Sequence, residues 1–174
     1  VLLALHGTGD PDLIVGALDG TLRAYQKTAG GYVAFATNPF AGINGDGLST
    51  PAFADLDGDG DLDLVIGKVD GSLKAYENTA GSYVPFTTNP LAGIAVGSYS
   101  APVFVDLDGD NDLDLVVGAA DGSLQAWLKV GGGYVAENGT LFAGIHMGSV
   151  ARPGFVDLTG DGRADLVVGS ADGA

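Results

Sequence analysis

The sequence predicts an all-β protein made of one four-stranded unit repeated along the chain, and three observations predict it. Asp12, Asp63, Asp114 and Asp165 recur every 51 residues with no insertion or deletion, which is the spacing of a repeat array. Short β-branched and aromatic runs alternate with Gly, Asn, Asp and Pro clusters, and no helical periodicity is sustained. Each unit also carries one apolar run unbroken by a polar residue, such as Leu115-Val116-Val117. A meander of four antiparallel strands, apolar on both faces inside and half exposed outside, is a β-propeller-type blade. The 174 residues form a single array of about three and a half blades, with units near 1–51, 52–102 and 103–153 and a half-unit at 154–174.

The third unit shows the reasoning for each element. Strand 1 is expected over 102–107 and strand 2 over 113–119, the latter buried on both faces. Asp121-Gly122 then reads as a two-residue hairpin with positive φ. Strand 3, over 123–129, alternates, with Leu124, Ala126 and Leu128 on one face and Gln125, Trp127 and Lys129 on the other. A turn through Gly131, Gly132 and Gly133 leads to strand 4 near Tyr134, and 141–151 connects to the next unit. The aromatic positions repeat too, as Tyr25, Tyr76 and Trp127 and as Tyr32, Tyr83 and Tyr134.

Between strands 1 and 2 lies the stretch that carries chemistry. Asp55, Asp57, Asp59, Asp61 and Asp63 crowd five carboxylates into nine residues, which leaves a charge that something must neutralise. Carboxylates at positions 1, 3, 5 and 9 with a backbone carbonyl at position 7 supply the hard oxygen ligands that Ca²⁺ takes, six to eight at a time. Gly60 at position 6 permits the sharp turn. The loop returns as Asp106, Asp108, Asp110, Asp112 and Asp114, with Asn111 for the glycine. It returns again as Asp157, Thr159, Asp161, Arg163 and Asp165, where a hydroxyl replaces one carboxylate. About three calcium sites are expected, the last the weakest. In the first copy Ala4, His6 and Thr8 stand where the first three ligands belong, and only Asp12 is kept, so no calcium is expected there. Turn formation alone explains one Asp-Gly loop but not the same alternation three times. Nor is this an EF-hand, since position 12 is Ile66, Val117 or Val168 where that motif needs Glu.

Composition narrows the function classes. The net charge is −15, and 13 of the 22 acidic residues lie in the three intact loops; three calcium ions would reduce it to −9. So acidic a surface repels phosphate backbones, which excludes nucleic acid as a partner. There is no cysteine, in keeping with a secreted chain stapled by metal in place of disulfides. No apolar run approaches the length of a membrane span. Val1 in place of Met is expected for a processed chain or a piece of a longer one.

The stretch from Phe53 to Gly67, with its Asp-x-Asp-x-Asp-Gly-x-x-Asp core, resembles the FG-GAP/VCBS repeat of integrin α-subunits, bacterial surface proteins and a propeller-type fungal lectin. All four copies take part, so the resemblance spans the chain. It implies a calcium ion in the hairpin between blade strands 1 and 2, held by Asp55, Asp57, Asp59, Asp63 and the carbonyl of Asp61. The equivalent sets are Asp106, Asp108, Asp110, Asp114 with the carbonyl of Asp112, and Asp157, Thr159, Asp161, Asp165 with the carbonyl of Arg163.

The leading functional expectation is a non-catalytic extracellular or cell-surface calcium-binding scaffold, structural or adhesive. Its two histidines, His6 and His146, sit in loops, and no nucleophile elbow or phosphate loop occurs. The alternative is a calcium-dependent lectin using the repeated aromatics as sugar platforms, or a piece of a larger adhesin, with glycans or a surface protein as partner. The competing reading of those aromatics is blade-on-blade packing. Asn138-Gly139-Thr140 is a glycosylation sequon in an expected surface turn. Fourteen strands do not close a ring, so self-assembly into a homo-oligomer or head-to-tail fibre is the expected use of an open strand-2 edge at 166–168.

Overall fold

A computed structural model of the chain describes residues 1–5 and 9–173. Its described residues form no helix, and so none that is long and apolar enough to cross a membrane. Three antiparallel four-stranded blades follow one another: β1 (Leu2–Leu3), β2 (Asp12–Gly16), β3 (Leu22–Thr28) and β4 (Gly31–Ala34); β5 (Thr50–Ala54), β6 (Asp63–Gly67), β7 (Leu73–Thr79) and β8 (Ser82–Pro85); β9 (Ala101–Val105), β10 (Asp114–Gly118), β11 (Leu124–Val130) and β12 (Gly133–Ala136). A two-stranded sheet of β13 (Ala151–Val156) and β14 (Asp165–Ser170) completes the array. Each blade is a simple meander, its strands paired in sequence order, so every turn can be short.

The apolar second strands are buried on both faces because each face belongs to a different interface. Leu64 and Ile66 of β6 point into a core shared with the first blade, among Ile14, Leu22 and Phe40. Val65, between them, points the other way, into a core with Leu115 and Val117 of the third blade. On β10, Val116 in turn joins Phe155 of β13. All of β6 and β10 is buried. Burying an aliphatic side chain contributes about 1.5–3 kcal/mol, so these two strands join neighbouring blades as well as their own.

At β11 the structure decides the role of the aromatic and corrects the expected hairpin. Trp127, on the same face of β11 as Gln125, is only 9% exposed and fills the core against the second blade, as the blade-on-blade reading of the repeated aromatics expects. Tyr76 does the same one blade earlier. Both faces of an inner blade are contact faces, so alternation within one sheet does not by itself separate buried from exposed positions. The Asp121-Gly122 turn is not a two-residue hairpin. Ala119 N–H donates to Ser123 O and Gly122 N–H to Ala119 O, leaving three residues in the loop with only Gly122 at positive φ, 87°. The aspartate instead fixes the turn by accepting hydrogen bonds from the Ser123 N–H and Oγ. The two-residue turns with positive φ at both positions lie between strands 3 and 4, at Ala80-Gly81 and Gly131-Gly132.

Blade spacing is set by close backbone approach. A Cβ on Gly67, the last residue of β6, would overlap the Ser100 carbonyl just before β9. Gly16 meets Ser49 and Gly118 meets Ala151 in the same way. The Ser100 hydroxyl completes this joint, accepting from Lys68 N–H at 2.7 Å and facing the carbonyls of Lys68 and Ser72 at 3.2 and 2.9 Å.

Candidate metal-binding loops

Each loop is built by its own carboxylates before any ligand is considered. In loop 55–63, Asp55 Oδ1 accepts from Gly58 N–H at 2.6 Å and Oδ2 from Gly60 N–H at 2.9 Å. Asp57 and Asp59 accept from the N–H groups of Asp59 and Asp61, at 3.2 and 2.8 Å. These bonds curl the backbone inward, and Gly58 and Gly60, at φ 86° and 93°, make that curl free of steric cost. Loop 106–114 repeats the pattern, with Gly109 and Asn111 N–H groups on Asp106 at 2.7 and 3.1 Å. Asn111 takes the left-handed backbone, φ 71°, that its place in the sequence requires.

The curl brings together Asp55, Asp57 and Asp63 in one loop and Asp106, Asp108 and Asp114 in the other, each offering carboxylate oxygens within 4.8 Å of one another. A cation that binds oxygen at about 2.4 Å can touch two oxygens up to about 4.8 Å apart. Either triad could hold a metal ion. Asp59, Asp61, Asp110 and Asp112 belong to the same loops but lie outside the converging sets. In loop 157–165 the scaffold persists, with Gly160 and Gly162 N–H groups on Asp157 at 2.6 and 2.9 Å and Arg163 N–H on Asp161 at 2.9 Å. With Thr159 at position 3, no carboxylate triad converges there among the described residues. In the first copy, His6 and Thr8 lie outside the described residues.

The closing aspartate has a second task that the ligand pattern conceals. Asp63 is 1% exposed, and its two oxygens accept from Leu56 N–H at 2.9 Å and Asn78 N–H at 2.8 Å, tying the loop to strand 3. Asp114 does the same with Leu107 and Lys129, both at 2.8 Å. So does Asp12, with Leu5 at 3.0 Å and Lys27 at 2.9 Å, in the copy that lacks carboxylates at positions 1, 3 and 5. Asp12 is thus kept as a brace. Within the loop, position 9 is the one position that is acidic in all four copies.

Electrostatics sets one carboxyl of each triad apart from ordinary surface carboxylates. Burial pushes the Asp63 carboxyl up, against the pull of its two N–H donors, and the charges of Asp57 and Asp59 push it further. Asp108 is also raised, by desolvation and then by Asp110, Asp114 and Asp106. Asp157 is lowered by the Gly162 and Gly160 N–H groups. The first two loops hold mutually repelling charge, whereas the last is relaxed. Alongside, burial and the charges of Asp63 and Asp61 push the Tyr83 phenol up to about 12.

The FG-GAP-like repeat matches three times, over residues 5–66, 55–117 and 106–168. The chain belongs to the FG-GAP repeat family. Each FG-GAP match runs from one loop between strands 1 and 2 into strand 2 of the next blade, so the family unit spans a junction between two blades. No curated protein matches the chain.

Proposed function

We propose that the chain is a calcium-binding β-propeller-type scaffold, extracellular or at the cell surface, that works by binding and not by catalysis. The observation that carries this reading is the convergence of three carboxylates in each of loops 55–63 and 106–114. Asp55, Asp57 and Asp63, and Asp106, Asp108 and Asp114, would hold the ion, with Asp59, Asp110 and the carbonyls of Asp61 and Asp112 as the further oxygens the family pattern offers. The ion would supply charge neutralisation and a cross-link within the hairpin. Calcium suits a pliable loop with many oxygens better than magnesium, which demands a tight octahedron and keeps its waters. Membership of the FG-GAP family supports the surface location.

The aromatics support scaffold over lectin. Tyr76 and Trp127 are core residues, and Tyr83 packs tilted against Phe40 and edge-on against Phe53, with ring centroids 5.0 and 6.2 Å apart. Isothermal titration calorimetry tests the reading. Two calcium ions should bind tightly and a third, at loop 157–165, more weakly, with magnesium binding far less well. Absence of calcium binding at millimolar concentration contradicts it.

A further inference from the structure

Lys129 touches both acidic loops that form a triad. Its backbone N–H donates to Asp114 Oδ1 at 2.8 Å, bracing loop 106–114 of its own blade. Its ammonium crosses to the preceding blade and donates to the Asp55 carbonyl at 3.0 Å, at the first position of loop 55–63. The equivalent residues differ. In the second blade the position is Asn78, whose side-chain amide stays on its own loop, at the Leu62 carbonyl 3.3 Å away. Asn78 would reach back toward the loop that has Ala4, His6 and Thr8 in place of carboxylates. In the first blade it is Lys27, whose ammonium lies over the Tyr32 ring, 4.8 Å from its centre. A cation thus crosses a blade interface where the loop beyond has carboxylates at its first three ligand positions, and a neutral side chain stands where that loop has none there.

We propose that Lys129 sets the calcium affinity of loop 55–63, holding it below that of loop 106–114 while making the metal-free loop tolerable. The inference rests on the calcium reading above. A fixed positive charge beside five carboxylates relieves their repulsion when no ion is bound, and repels a divalent ion when one arrives. Both effects follow from Coulomb's law at short range in a partly shielded site. The half-buried Lys129 stem keeps the charge in place.

The test is calcium titration of Lys129→Met, Lys129→Gln and Lys129→Arg in two backgrounds. Asp108→Asn/Asp110→Asn leaves loop 55–63 to report, and Asp57→Asn/Asp59→Asn leaves loop 106–114; the weaker third loop is common to both. Removing the charge should tighten binding at loop 55–63 by about fivefold or more, change loop 106–114 by less than about twofold, and lower the melting temperature in chelator. Arginine should behave as the parent. Unchanged or weakened binding at loop 55–63, or equal tightening at both loops, overturns the proposal. Failure of the parent to bind calcium at all removes the calcium reading and this inference with it, an outcome distinguishable from the others before any variant is made.

Discussion

Asp63 and Asp57 lie in the same triad yet do different work, and their substitution separates the two tasks. Asp63 is buried with both oxygens bonded to backbone N–H groups, so Asp63→Ala leaves two buried donors without partners. A loss of about 2–5 kcal/mol is expected, and it should persist in excess chelator, as read by urea denaturation. Asp57 is exposed, and Asp57→Asn should leave the chelated protein's stability within about 0.5 kcal/mol while abolishing tight binding at that loop. Equal effects of the two in chelator would show that the brace is not structural. The ligand alternation was legible because position-specific carboxylates with glycine at the turn have few other uses. The brace was not, because a hydrogen bond from Asp63 to the N–H of Asn78 crosses to a strand that loop spacing does not reveal. Tyr83 offers a further residue-level test. Its raised value, about 12, means that its neutral form is favoured by the fold, so this contribution is whole below about pH 10 and is lost as pH rises towards 12. Ultraviolet titration should show a phenol ionising near pH 12 that is absent from Tyr83→Phe, and that variant should show a reduced alkaline loss of stability.

At the scale of elements, β6 and β10 are the members on which two interfaces depend, and Gly67 is their narrowest point. Gly67→Ala places a methyl against the Ser100 carbonyl, where backbone rather than a flexible side chain must yield. A loss of about 1–3 kcal/mol is expected, measured by thermal melting, whereas Gly42→Ala, with open space around it but φ 85°, should cost about 1 kcal/mol from backbone strain alone. Similar losses at both positions would contradict close approach as the reason for Gly67. The number, order and type of strands were readable from the sequence, because a run such as Leu115-Val116-Val117 between turn residues has one economical fate. The hairpin type was not, since Asp-Gly serves both two- and three-residue loops, and the choice is made by Ser123 closing on Ala119. The burial of Trp127 was readable from the recurrence of an aromatic at that position in every unit, though the alternation of its own strand does not show it.

At the scale of the molecule, the array is a series of blades joined by apolar interfaces and edged by acidic loops at the β5–β6, β9–β10 and β13–β14 turns. The joints bury Leu, Ile, Val and aromatic side chains, while the loops concentrate 13 of the 22 acidic residues. Hydrophobic burial therefore favours the folded array, and loop repulsion opposes it unless cations are bound. The most direct test is the melting temperature in millimolar calcium and in excess chelator at fixed ionic strength. A ligand at a hundredfold excess over its Kd stabilises by about 2.7 kcal/mol per site, so two filled loops predict a drop of many degrees on chelation that calcium restores and magnesium does not. An unchanged melting temperature would contradict calcium as the ion these loops are built to hold.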